Sequence, residues 1–149
     1  MKLSKNFSRA EIEHSNTAKR LGISNEMSEK HLENMQRLVD NLIQPMRDSI
    51  GPIRISSGYR SPSLNRAIGG SSRSQHSKAE ALDLQFWSEG KMNNKVIYDW
   101  IIDSGLEFDQ MINEFDFSWI HISLKKNSNR KQVLEAYKDK DGDTAYRLV

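Results

Sequence analysis

The sequence predicts an α+β fold: a small antiparallel sheet packed against N-terminal helices and one inserted helix. Three observations carry this prediction. Up to about residue 50, apolar residues recur at spacings of three and four, the period of a helix buried on one face. From residue 53 onward, short runs alternate apolar and polar residues, the period of a half-buried strand. Between those runs Val96-Ile97 and Trp100-Ile101 return once to helical spacing. Helices first and strands afterwards, with a single inserted helix, favour an antiparallel sheet over alternating βαβ units. There is no internal repeat and no low-complexity linker, so the chain reads as one domain over residues 1–149.

Each element has a local cause. Ser8 and Glu11 have the spacing of a capping box, and Phe7 and Ile12 the spacing of a hydrophobic staple. They predict a helix that starts there and stops at Gly22. From Ser28 to Ser49, Leu32, Met35, Val39, Leu42 and Met46 form one apolar stripe, read as core. Pro45 removes a backbone donor inside it, which predicts a bend or break. Ile53-Arg54-Ile55-Ser56 reads as a strand after Gly51-Pro52. Residues 57–75 are rich in Ser, Gly, Arg and Asn and read as a long irregular loop, a kind of segment often tied to function. Residues 77–80 read as a turn and Leu82 to Phe86 as a strand. The inserted helix ends at Gly105. Asp109 to Phe115 and Trp119 to Leu124 are close enough to pair as a hairpin. The tail is a turn, Asp139-Lys140-Asp141-Gly142-Asp143, between two short strands. That turn has the opening of a calcium loop without its closing Glu, so it is read as a polar hairpin turn.

Composition narrows the function classes. The chain is 36% hydrophobic and 28% charged, which suits a globular protein with a real core. Its 22 Lys and Arg nearly balance 20 Asp and Glu; a net charge of +2 gives no footprint for nucleic acid. There is no cysteine, which excludes disulfides and thiolate metal sites, so any metal must use His and carboxylate ligands. No apolar run approaches the roughly 20 residues that span a bilayer, and the first residues lack the apolar core of a signal peptide. The expectation is a protein made in the cytoplasm, monomeric, with no membrane partner.

Two short segments carry the chemistry: Ser74-Gln75-His76 leading to Ala81-Leu82-Asp83, and Trp119-Ile120-His121-Ile122-Ser123. Two imidazoles and one carboxylate are the ligand set of a catalytic zinc site with one position open. His76 and Asp83 cannot share one helix, because seven residues rise about 10.5 Å. A turn between them brings them together instead. Asp83 between two leucines and His121 between two isoleucines both need a polar partner, since a buried unpaired charge is costly. A metal is one such partner, and ordinary hydrogen bonding is the other. His14 and His31 lie among charged residues and read as solvated surface. Trp87 and Trp100 read as core or cleft wall, and Trp119, beside His121, as lining a substrate groove.

These words, taken together, resemble the zinc D-Ala-D-Ala metallopeptidases, which include D-alanyl-D-alanine carboxypeptidases and phage L-alanoyl-D-glutamate endopeptidases. The matching residues are Ser57-Gly58-Tyr59-Arg60-Ser61-Pro62, Asn65, Gly69-Gly70 and Ser74-Gln75-His76 with Ala81 and Asp83. Further on come Asp109-Gln110-Met111-Ile112 with Glu114, then Trp119 to Ser123, and Asn129-Arg130-Lys131-Gln132-Val133-Leu134. The resemblance implies a fold of the hedgehog and D-Ala-D-Ala-peptidase type. It implies that His76, Asp83 and His121 bind Zn²⁺, that Arg60 binds substrate and steadies the oxyanion, and that Ser74 supports the site. The implied substrate is the peptidoglycan stem peptide, cut by an endopeptidase that reaches the wall after holin-type release. A D-Ala-D-Ala carboxypeptidase and a non-catalytic zinc-containing wall-binding or phage structural module are the alternatives. Two positions depart from the family. Ala79 replaces a Gly; if that position needs positive φ, strain of about 1 kcal/mol is expected. Ser118 stands where many relatives have the catalytic acid, so proton transfer is expected from Glu114 first and Asp116 second.

Overall fold

The computed structural model describes residues 1–149. Ser8 caps the first helix, α1 (Arg9–Glu13), by accepting a hydrogen bond from the Glu11 amide. Phe7 and Ile12 are both buried, as the staple requires. The helix does not run through to Gly22, because Ser15 caps a second one, α2 (Asn16–Leu21), after an extended His14. Gly22, at φ 67°, closes α2 in the left-handed conformation that glycine adopts freely.

The long apolar stripe forms α3 (Glu29–Leu38) and α4 (Gln44–Ile50), joined without interruption by a π-helical turn at Val39–Ile43. Pro45 explains the join. It cannot donate, and the Gln44 amide reaches back five residues to the Val39 carbonyl, so the extra residue is absorbed in a wider turn. Met35, Leu38, Leu42 and Met46 are fully buried along this stripe.

The strands are β1 (Ile53–Ser57), β2 (Ala81–Ser88), β3 (Lys91–Met92), β4 (Gln110–Glu114), β5 (Trp119–Ser123), β6 (Gln132–Lys138) and β7 (Thr144–Leu148). They form one seven-stranded sheet in the order β1-β2-β5-β4-β6-β7, with β3 paired to β2. The predicted β4–β5 and β6–β7 hairpins are both present. The pairing is antiparallel except between β4 and β6, which run parallel. Residues 57–75 are less irregular than expected. They hold a helix, α5 (Pro62–Ala67), capped by Ser61 with Pro62 at its first position. The inserted helix is α6 (Lys95–Ser104), ended by Gly105 at φ 68°.

Alternation along the strands gives the sheet two faces. Leu82, Leu84, Met111, Ile120 and Ile122 join α3, α4 and α6 in the core. Asp83, His121, Ile112 and Leu134 stand opposite one another across β2, β5, β4 and β6, on the other face. The next row on that face holds Trp119, Glu114, Ala136 and Tyr146.

Candidate metal centre

Two segments flanking the neighbouring strands β1 and β2 are brought to this polar face. The first is Ser57-Gly58-Tyr59-Arg60, where the pairing of β1 with β2 slips by one residue. Gly58 has no room for a side chain: a Cβ there would lie 2.2 Å from the Ile12 carbonyl oxygen. That close approach lets the Tyr59 amide donate to the same carbonyl at 2.9 Å. Asn25 holds the far side, donating to the Tyr59 carbonyl at 2.9 Å and accepting from the Ser61 amide at 2.7 Å. Arg60 is therefore fixed from both flanks. Its guanidinium donates to the Ser74 hydroxyl at 3.4 Å, and its buried Nε has no partner within the protein.

The second segment is a single 3₁₀ turn, Gln75–Lys78, which ends on Ala79 at φ 58°. The position that departs from the family does adopt the left-handed conformation expected to strain an alanine. The glycine pair upstream also has a steric reason, since a Cβ on Gly70 would lie 2.1 Å from Asn65 Oδ1.

His76, Asp83 and His121 meet in one cluster, with a ligand atom from each within 4.8 Å of the others. His76 Nε2 lies 3.3 Å and His121 Nδ1 3.2 Å from the same oxygen, Asp83 Oδ1. The remaining ring nitrogens face partners too. His76 Nδ1–H donates to the Gly58 carbonyl at 2.8 Å, and His121 Nε2 meets Gln75 Oε1 at 2.8 Å. Each ring thus turns one free nitrogen toward Asp83. Ligands about 2.0 Å from a tetrahedral zinc are about 3.3 Å apart, which matches the two separations through Asp83 Oδ1, so the donor set suits that ion. Burial works against the charge of Asp83, but the two imidazoles outweigh it and hold the carboxyl well below its usual range.

A cavity of about 720 Å³ opens over the cluster and is lined by Arg60, Ser74, Glu114, Trp119 and the three cluster residues. Glu114 is half-buried. Desolvation and the nearby Asp83 charge push its carboxyl up to about 7, against smaller opposing effects of His76 and Arg60. Asp116 is exposed on the turn after β4 and does not line the cavity. That turn holds Phe115, Asp116 and Phe117 at φ 49°, 55° and 60°, three consecutive left-handed residues. The Ser118 hydroxyl braces it by donating to the Phe115 carbonyl at 2.7 Å, which gives the residue at the departing position a structural job.

Other readings are revised. His31 is not solvated surface: it is half-buried and its Nδ1 lies 2.9 Å from the Tyr59 hydroxyl. His14 is exposed. Trp87 is 49% exposed and belongs neither to the core nor to the cavity wall. Trp100 packs against the core. Asp139 spends its carboxylate on the amides of Asp141 and Asp143, as in a hairpin turn. Gln75, Asp109, Asn25 and Tyr146 were not singled out from the sequence as site residues. Only Gln75 and Asp109 stood inside quoted motif words, and their contacts depend on segments far apart in the chain.

A family model described as peptidase M15 matches residues 5–123. Nothing among the curated proteins matches the chain.

Proposed function

The chain belongs to the peptidase M15 family, a metallopeptidase family, and from that premise we propose that it hydrolyses peptide bonds in the peptidoglycan stem peptide as a zinc-dependent endopeptidase. The observation that carries the reading is the convergence of one nitrogen from His76 and one from His121 on a single oxygen of Asp83, beneath a cavity that also holds Glu114 and Arg60.

His76, Asp83 and His121 would hold the zinc. The ion supplies Lewis acidity, polarising a carbonyl and acidifying water. Glu114 is the general base: it lines the cavity beside the cluster, with its carboxyl raised to about 7 in the metal-free fold, and from there it can accept the proton of the attacking water and return it to the leaving amine. Arg60 lines the cavity and places positive charge where the carbonyl oxygen becomes negative. Ser74 restrains the Arg60 guanidinium. Trp119 forms one wall of the groove that takes the peptide. Asp116, exposed on its turn, has no part in this scheme.

Digestion of purified peptidoglycan, followed by mass spectrometry of the muropeptides, tests the proposal. A new L-Ala–D-Glu cut is the expected product. Release of free D-Ala alone would assign a carboxypeptidase. No product from a zinc-loaded, folded protein would leave a wall-binding module. His76→Ala and His121→Ala are expected to lose both bound zinc and hydrolysis; undiminished hydrolysis by either overturns the metal-centred reading.

A further inference from the structure

We propose that Gln75 is a positioning residue for the metal centre, and that Asp109, held by Arg130, orients it so that His121 presents Nδ1 to the ion. The inference rests on the metallopeptidase reading above and concerns residues outside the ligand set.

An imidazole can ligate through either nitrogen, and the partner of the other nitrogen decides which. His121 Nδ1 is 3.2 Å from Asp83 Oδ1, while Nε2 is 2.8 Å from Gln75 Oε1. An amide oxygen only accepts, so this contact requires the proton on Nε2, and the neutral ring then keeps its lone pair on Nδ1. Turned end for end, the Gln75 amide would donate to Nε2 and drive the proton onto Nδ1, where it would block ligation.

The opposite end of the Gln75 amide prevents that reversal. Gln75 Nε2 donates to Asp109 Oδ2 at 2.9 Å. Asp109 is fully enclosed, and Arg130 keeps it ionised. Arg130 Nη2 donates to Oδ2 at 2.8 Å, and its Nε and backbone amide donate to Oδ1 at 3.0 and 3.2 Å. Lys125 Nζ is 3.5 Å from Oδ1. An ionised carboxylate has no proton to give, so a reversed Gln75 would set oxygen against oxygen. The charge on Asp109 selects the orientation of Gln75, and Gln75 selects the tautomer of His121. The relay joins four separate motif segments, and Arg130 lies beyond the residues 5–123 matched by the family model.

The Asp109 carboxylate also anchors the segment before β6, accepting from the Arg130 amide and guanidinium, so its removal would mix folding with metal binding. Gln75→Met keeps the length of the side chain and removes both polar ends. Gln75→Glu keeps an acceptor for His121 but faces the Asp109 carboxylate. Adding Asp109→Asn restores a donor opposite Glu and inverts the polarity of the relay. Zinc affinity is measured by chelator competition on the full chain, with metal-free thermal unfolding as the fold control and His121→Ala alongside. Gln75→Met and Gln75→Glu are each expected to bind zinc about 10–100-fold more weakly, a typical effect of losing a partner of a metal ligand. Metal-free unfolding of Gln75→Met is expected to stay unchanged. The double variant is expected to regain most of the loss of Gln75→Glu. Wild-type zinc affinity in Gln75→Met, or no recovery in a folded double variant, overturns the relay. If His121→Ala also binds zinc like wild type, the metal-centre reading itself fails; if only His121→Ala loses zinc, the relay alone fails.

Discussion

Glu114 is asked to be two things at once, a buried residue of a folded sheet and a charged base. Its carboxyl ordinarily loses its proton near 4.5 and in the metal-free fold does so at about 7. In that window the folded chain keeps a proton that the unfolded chain has released, so stability falls as pH rises from about 4.5 to 7. Above it the full penalty applies, about 2 kcal/mol once solvent screening at this half-buried group is allowed for. Metal-free Glu114→Gln is therefore expected to match wild type in denaturant unfolding at pH 4 and to be more stable at pH 8. An equal difference at both pH values would show that ionisation is not the cause. The same variant is expected to keep its zinc while kcat falls about 10²–10⁴-fold, the usual worth of a general base. Asp116→Asn is expected to leave kcat within a factor of about two in the same assay, as an exposed charge off the cavity should. Residue types pointed to His76, Asp83 and His121, and the family resemblance, with its acid replaced by Ser118, pointed to Arg60 and Glu114. The sequence put Glu114 ahead of Asp116 without deciding between them, because two residues along one strand and turn differ in burial only once the strand has a partner.

At the scale of elements, backbone conformation carries the local departures from expectation. Ala79 caps the 3₁₀ turn in a left-handed conformation while its side chain is fully buried. Ala79→Gly would relieve about 1–2 kcal/mol of strain but give up about 0.8 kcal/mol of methyl burial and add about 0.5–1 kcal/mol of backbone entropy. The two sides nearly cancel, so a change of less than about 1 kcal/mol is expected in equilibrium unfolding. Ala79→Val, β-branched in the same conformation and without free volume, is expected to lose at least about 2 kcal/mol. A tolerated valine would mean that the turn is not left-handed in solution. The turn after β4 is held left-handed over three residues by Asn113, which accepts from the Phe117 amide at 2.6 Å, and by Asn94, which donates to the Phe117 and Ser118 carbonyls. This brings Trp119 opposite Glu114 across the hairpin. The cap at Ser8 and the stops at Gly22 and Gly105 were legible. The break between α1 and α2 and the helix α5 were not, although Ser15 and Ser61-Pro62 were present, because loop composition around them masked the caps.

For the whole molecule, the three residues that could hold the metal come from separate elements: the 3₁₀ turn, β2 and β5. An ion bound only by the folded arrangement stabilises it by mass action. Zinc at about 1,000 times its dissociation constant should add about 4 kcal/mol, a rise of roughly 10 °C in Tm for a chain of this size. Calorimetry with zinc and with a chelator checks this, and superimposable transitions would rule out a site formed on folding. The sequence by itself determined the helices-then-strands order, the two faces of each strand and the residue types of the site, because periodicity, caps and ligand chemistry are local properties. Tertiary structure alone decided the parallel pairing of β4 with β6, the seating of Gly58 against Ile12, the clamp of Asn25 on either side of Arg60 and the run from His121 through Gln75 to Asp109 and Arg130. Those contacts join residues far apart in the chain, and such pairings exist only after the core has closed and set which segments meet.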